Sequence, residues 1–289
     1  PPLFFFHPQA CNGYAQESRG LGDVYKRQDW IFAPQVTSPL RDKLDILRAI
    51  SMAESGLYDS NQLQNEIERN DDGASIHFTL DGRPPTPSDV EYEYPITINS
   101  STVVRARSFL DGWVKSNITT KTYLLSEDPP SGLPAVFITT DPNSFFDYDT
   151  GMYMMGPNAD TWNFPYFGAN FWEDWERPIH FEILEVDGTG YDADAGVKIF
   201  GGWSRAFPQK SLSIFSRSHI GPSVFEYKLF PNSNINKYES FVLRNSGNDW
   251  ESTILRDGFI TSLTDDLDID HQRYRPAALY ICLLYTSDA

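Results

Sequence analysis

The residues best suited to chemistry sit on one short stretch, Gly196-Val197-Lys198-Ile199-Phe200-Gly201-Gly202-Trp203-Ser204-Arg205-Ala206-Phe207-Pro208-Gln209-Lys210-Ser211-Leu212. Gly201 and Gly202 are adjacent, Arg205 follows in the same loop, and Lys210 opens the next apolar run. A glycine turn lets backbone N–H groups approach a phosphate closely, and Arg and Lys neutralise its charge. The chain as a whole carries a formal net charge of −17, so this local basic cluster stands out. On residue chemistry alone, a phosphate-binding loop and an ordinary exposed hairpin both remain open.

Other constellations carry less. Gly188-Thr189-Gly190-Tyr191-Asp192-Ala193 fits the loose dinucleotide pattern G-x-G-x-x-A. That chemistry needs the loop to open a helix, whereas here it enters a strand whose Asp192 and Asp194 repel phosphate. A hairpin turn is expected. Gly202-Trp203-Ser204-Arg205-Ala206 approaches a nucleophile elbow, but Pro208 and a β-like run stand where the helix should be. Asp187, Asp192 and Asp194, or Asp147 and Asp149, lack calcium-loop spacing and are expected to be solvated turns. The five histidines form no H-x-x-x-H pair, and His77 reads as a strand-surface residue. No metal-ligating set is expected in this chain.

The elements that must position the loop follow from periodicity. Ala74, Ile76, Phe78 and Leu80 alternate with polar residues, and Asp81-Gly82 supplies a turn. Residues 95–98, 102–109 and 119–125 are further strand candidates, and close spacing of short strands indicates a β-sandwich. After a linker at 126–132, strands are expected at 135–139, 179–186, 196–200, 212–215 and 241–243. The aromatic stretch 154–172 reads as a long surface loop. Ile254, Leu255, Phe259 and Leu263 predict a helix over 252–263, and Ser38-Pro39 with Leu40, Leu44, Leu47 and Ile50 a short amphipathic one. Twenty prolines and nineteen glycines agree with many turns and few long helices. The fold class expected is α+β and mostly β.

Composition excludes several functions. Forty acids against 23 bases argue against a nucleic-acid partner. No apolar run approaches the length of a membrane span. Two cysteines, Cys11 and Cys282, support neither a disulfide framework nor a four-ligand zinc site.

Both ends read as foreign. Asp23-Val24-Tyr25-Lys26-Arg27-Gln28 and the tail from Cys282 to Ala289 back-translate to opposite strands of one transposase adapter. Residues 1–28 and 282–289 are therefore expected to be artefactual, 29–56 to be an uncertain helical segment, and the native frame to run on past Ile281.

Two resemblances rest on these motifs. Ala74-Ser75-Ile76-His77-Phe78-Thr79-Leu80-Asp81-Gly82, Pro85-Thr86, Pro95-Ile96-Thr97-Ile98, Thr102-Val103-Val104-Arg105-Ala106-Arg107 and Thr122-Tyr123 resemble the chitobiase/hexosaminidase C-terminal domain over 57–125. That family implies an immunoglobulin-like accessory β-sandwich of secreted bacterial proteins, with no catalytic residue. The glycine-loop stretch resembles the CotH kinase family over 133–281, together with Trp175-Glu176-Arg177-Pro178, Leu243-Arg244-Asn245-Ser246-Gly247-Asn248-Asp249-Trp250, Arg256-Asp257 and Tyr274-Arg275-Pro276. The second resemblance implies an atypical kinase fold, of which this chain holds the N-terminal part.

What the CotH resemblance implies is transfer of the ATP γ-phosphoryl group to protein Ser or Thr, with Mg²⁺ or Mn²⁺, in a secreted or surface protein. Lys210 takes the role of the phosphate-anchoring lysine, Arg205 a second phosphate contact, and Gly201 and Gly202 the approach to the phosphates. Asp257 and Glu251 both qualify as the acid that holds the lysine. The catalytic base and metal-binding acids are expected beyond Ile281, so the fragment itself is expected to be inactive. The competing expectation is a noncatalytic surface scaffold or adhesin, with the sandwich recognising glycan or cell-wall material and Trp162, Trp172 or Trp203 stacking on sugar.

Overall fold

The computed structural model describes residues 29–32, 74–93, 96–98, 100–124, 132–250, 252–265, 267, 269 and 271–283. The amphipathic helix expected at 38–50, most of the 126–132 linker, Glu251 and the residues beyond Leu283 lie outside them.

Two sheets organise the described residues. The smaller has four antiparallel strands in the order β3-β2-β4-β5: β2 (Ser75–Thr79), β3 (Val90–Glu91), β4 (Thr102–Phe109) and β5 (Thr119–Tyr123). Ile76 and Ala106 form its small core, with Phe78 and Tyr92 packed alongside. This sheet is what the described residues hold of the immunoglobulin-like unit. The strand expected at 95–98 is corrected, because Ile96 to Ile98 lie outside any strand. Asp89 accepts hydrogen bonds from the Thr86 amide, the Thr86 hydroxyl and Arg83, so the chain returns to β2 already at Val90.

The larger sheet has eight strands in the order β11-β1-β10-β9-β8-β7-β6-β12. They are β1 (Asp29–Phe32), β6 (Ala135–Thr139), β7 (Arg177–Leu184), β8 (Gly190–Phe200), β9 (Ser211–Phe215), β10 (Ser240–Arg244), β11 (Tyr274–Pro276) and β12 (Ala278–Ile281). The consecutive strands β6 to β7, β7 to β8, β8 to β9 and β9 to β10 pair antiparallel. β1, placed by the sequence in an uncertain helical segment, instead runs parallel between β10 and β11. Only Ala277 separates β11 from β12, yet these strands occupy opposite edges, so the sheet must curl until its edges meet.

Alternation decides the two faces. Ile179, Phe181 and Ile183 of β7 and Ala195, Val197 and Ile199 of β8 point into the main core, beside Leu212, Ile214 and Phe241. Every residue of β6 is buried because both its faces are covered: Val136 and Ile138 by that core, Ala135 and Phe137 by a second cluster with Ala278 and Tyr280. The Gly188 region is the hairpin turn expected, with Glu185 accepting from the Gly188 amide and Thr189 accepting from the Glu185 amide.

Among the described residues, two short α-helices accompany the sheet. α1 (Pro142–Phe146) begins at Asp141, whose side chain accepts from the Asn143 amide, and it buries Phe145. α2 (Arg256–Ser262) starts later than the sequence predicts, because Ile254 sits at φ 62 and its amide turns back to the Asp249 carbonyl. Phe259 and Ile260 within it, and Leu255 and Leu263 that flank it, are exposed.

The two sheets touch through polar groups. Glu182, on the outer face of β7, accepts from the Thr122 amide at 3.2 Å and from the Thr122 hydroxyl. Lys121 lies 3.9 Å from Glu182 and 3.6 Å from Asp192 of β8. Gly82, which follows β2, lies against Thr140, Pro142 and Cys282.

Candidate functional site

β8 ends at Phe200 and β9 begins at Ser211, and the ten residues between them build the site. Gly201 adopts φ 112, a backbone conformation that L side chains rarely take. A Cβ placed there would lie 2.5 Å from the Ser204 hydroxyl, which would have to turn aside. Around Gly202 a Cβ would meet nothing within 4 Å, which leaves its exposed backbone approachable from solvent. Trp203–Ala206 then forms a single 3-10 turn.

Arg205 closes this turn on itself. Its amide donates to the Gly202 carbonyl at 3.0 Å, and its Nε donates to the Gly201 carbonyl at 2.7 Å. One terminal nitrogen reaches the Phe171 carbonyl at 3.4 Å, and the guanidinium lies over the Trp172 ring. The arginine thus ties the glycine loop to the 154–172 segment while part of it remains accessible.

Lys210 lies beneath the loop and is only 5% exposed. Its Nζ donates to the carbonyls of Arg205 at 2.6 Å and Phe207 at 3.0 Å. The ammonium sits 4.0 Å from the centre of the Phe171 ring and 5.7 Å from that of Tyr153. Burial without a countercharge lowers its pKa to about 7. Among the described residues no carboxylate pairs with it.

Asp257 is placed elsewhere. It forms an ion pair with Arg244 at the end of β10, so the structure does not bring it to Lys210. Arg256 pairs with a different acid, Asp249, at 3.1 Å. Asp249 is itself buried, and it accepts from the Thr253 hydroxyl and the Arg256 amide. These bonds, the Thr253 one foremost, hold its carboxyl below the usual carboxylate range. Of the five residues expected at the site, Gly201, Gly202, Arg205 and Lys210 therefore come together and Asp257 does not.

Several motif residues turn out to be clamps. Asn245 donates from Nδ2 to the Gln209 carbonyl at 2.5 Å, and its Oδ1 accepts from the Ser211 hydroxyl and the Gly247 amide. It anchors the end of the loop to the turn after β10. Glu176 takes a bidentate pair from Arg217 at 2.6 and 2.8 Å, and it also fills the space a Cβ on Gly196 would need. Arg275 of β11 pairs with Glu185 at the end of β7 and donates to the Leu229 carbonyl at 2.9 Å. Sequence spacing placed these residues in shared motifs without revealing that they hold distant strands.

The donor set suits an anion: open glycine backbone, a guanidinium and a buried ammonium within one loop. Among the described residues, no group of three or more His, Cys, Asp or Glu is placed to hold an ion.

Comparison with curated proteins and with solved structures gave no match. Residues 53–120 match the profile of the chitobiase/beta-hexosaminidase C-terminal domain. Residues 197–285 match that of the CotH kinase protein, a span that contains the glycine loop, Lys210, Asn245 and Asp257. The chain therefore joins, in the order its motifs suggest, a chitobiase/beta-hexosaminidase C-terminal segment and a CotH kinase protein segment.

Proposed function

We propose that the chain binds ATP through the loop between β8 and β9, and that it forms the nucleotide-binding part of a secreted or cell-surface bacterial protein kinase. The carrying observation is the convergence of Gly201, Gly202, Arg205 and Lys210 within the CotH-matching segment. Here the glycine amides and Arg205 receive phosphate oxygens. Lys210, freed from its two carbonyls, supplies charge to the same group. A divalent cation, Mg²⁺ or Mn²⁺, would accompany the nucleotide by family resemblance. The described residues offer it no ligand set, so no step is routed through it.

The reaction of the parent protein is attack by a Ser or Thr hydroxyl oxygen on the γ-phosphorus. The bond from γ-phosphorus to the β–γ bridging oxygen breaks, ADP leaves, and the hydroxyl proton passes to a base. That base is not among the residues assembled at the loop. The substrate is a protein hydroxyl, and the immunoglobulin-like unit serves as a spacer beside it.

One observation favours a second reading, a noncatalytic scaffold or adhesin. Lys210 is capped by two carbonyls and has no acid partner among the described residues. Titration of the full chain with Mg·ATP separates the two. Saturable binding that is lost in Lys210→Ala supports the kinase reading, and absence of binding to the unmodified chain supports the scaffold.

A further inference from the structure

The junction of the two sheets gathers ionisable groups from both. On the outer face of the larger sheet, Phe137, Glu182 and Asp192 stand in one row across β6, β7 and β8, and Thr139, His180 and Asp194 in the next. His180 Nδ1 lies 2.8 Å from Asp194. Its buried Nε2 has no hydrogen-bond partner and lies 3.8 Å from Asp192. The smaller sheet brings Lys121 and Thr122 of β5 to this face, and Arg105 of β4, whose charge interacts with that of Asp194.

Glu182 is the group on which both sheets converge. It is 6% exposed and accepts from the Thr122 amide and hydroxyl. Lys121 stands 3.9 Å from it, beyond hydrogen-bond distance. A carboxylate buried against neutral donors, with no cation in contact, is costly to ionise. Part of that burial comes from β5, so lifting the smaller sheet away rehydrates Glu182 and removes the cost. The smaller sheet's own buried core is only Ile76 and Ala106, so polar contacts at the junction weigh heavily in its seating. A cleft of about 630 Å³, lined by Lys121, Thr122, Glu182 and Asp192 among others, gives protons access without opening the fold.

We propose that Glu182 is a proton-operated latch: the four-stranded sheet sits on the outer face of β7 while Glu182 is protonated, and ionisation of Glu182 releases it. The sign follows from linkage. Burial raises the pKa of Glu182 in the docked state above the value of about 4.3 that a free glutamate has. Docking is therefore strongest below that free value and weakens as pH climbs through the docked one. The charges of His180 and Lys121 favour the ionised form, and they moderate the release without reversing it. The latch stands independently of the nucleotide reading.

Hydrogen–deuterium exchange of the full chain at pH 5 and pH 8, corrected for the intrinsic pH dependence of exchange, tests the latch. Peptides from β2, β4 and β5 should be protected at pH 5 and lose protection at pH 8, while peptides from β7 to β9 stay protected at both. Glu182→Gln, shown by thermal melting to fold, should keep the smaller sheet protected at pH 8. His180→Asn should leave the loss at pH 8 in place. Lys121→Met, at a part-exposed site, should widen the difference between the two pH values, because it removes a charge that favours the ionised carboxylate. Equal protection of the smaller sheet at both pH values in the unmodified chain would overturn the proposal, as would a loss that survives Glu182→Gln. A loss that vanishes in His180→Asn would also overturn it, since the imidazole would then be the operator. If Glu182→Gln does not fold, Lys121→Met decides: an unchanged or smaller difference overturns the latch.

Discussion

Lys210 and Arg205 are joined through a backbone carbonyl and not through opposite charge: Nζ of Lys210 donates to the carbonyl oxygen of Arg205 at 2.6 Å. The two cations of the loop thus meet on one 3-10 turn. The turn is held at its top by the Arg205 guanidinium on Gly201 and at its base by the Lys210 ammonium. Movement of the lysine toward a ligand would release two carbonyls and so change the hydrogen bonding of the loop.

Burial of Lys210 gives a pH-dependent cost. Its folded pKa of about 7 lies below the ordinary lysine value of roughly 10.4. Below pH 7 both folded and unfolded chains hold the proton, and the fold carries the whole desolvation cost. Between those two values the folded state gives up its proton first, so the cost shrinks as pH rises. Lys210→Met should therefore raise the melting temperature more at pH 6 than at pH 9.5. Equal gains at both pH values would show that the ammonium is not the penalised species.

Gly201→Ala should damage the site. The substitution forces an L side chain to φ 112 and places its Cβ 2.5 Å from Ser204 Oγ. A cost of about 1–3 kcal/mol in chemical unfolding is expected, with weakened ATP binding. Gly202→Ala meets no atom within 4 Å and should cost less. The reverse order would contradict the loop geometry.

Asn245→Ala removes the clamp under the loop. The Gln209 carbonyl, the Ser211 hydroxyl and the Gly247 amide each lose a partner. Leaving buried polar groups unpaired costs about 1–3 kcal/mol, readable as a shift in the urea midpoint. The loss should exceed that of removing an exposed ion pair such as Lys237–Glu226.

At the junction of the two sheets, burial pushes the Glu182 carboxyl above its usual range, against the pull of His180, the Thr122 hydroxyl and Lys121. An acid whose folded pKa is raised stabilises the fold most below its unfolded value, and that contribution falls as pH climbs through the folded one. Glu182→Gln should consequently raise the melting temperature at pH 8 and change little near pH 4. A gain that does not depend on pH would mean that Glu182 does not titrate in that window.

Strands dominated by local alternation were legible from sequence. β4 and β6 match the expected residues, and β7, β9 and β10 lie within one or two of them. β1, β11 and β12 were not, because strands of three or four residues carry too little periodicity. Their parallel partners are also distant in sequence. At the site, Gly201, Gly202, Arg205 and Lys210 were legible because they share one loop. The destination of Asp257 was not: Arg244 and Lys210 are both cations near β10 and β9, and only the fold decides which one it meets. Likewise, the burial of Lys210 under Phe171 depends on a loop about forty residues upstream.

The central claim is that Lys210 and the glycine loop bind ATP. Isothermal titration of the full chain with Mg·ATP, beside Lys210→Met shown by melting to be folded, tests it most directly. The account predicts a single saturable site in the unmodified chain and at least a tenfold loss of affinity in the variant, about 1.4 kcal/mol. Undiminished binding by the variant, or no binding by the unmodified chain, would contradict it.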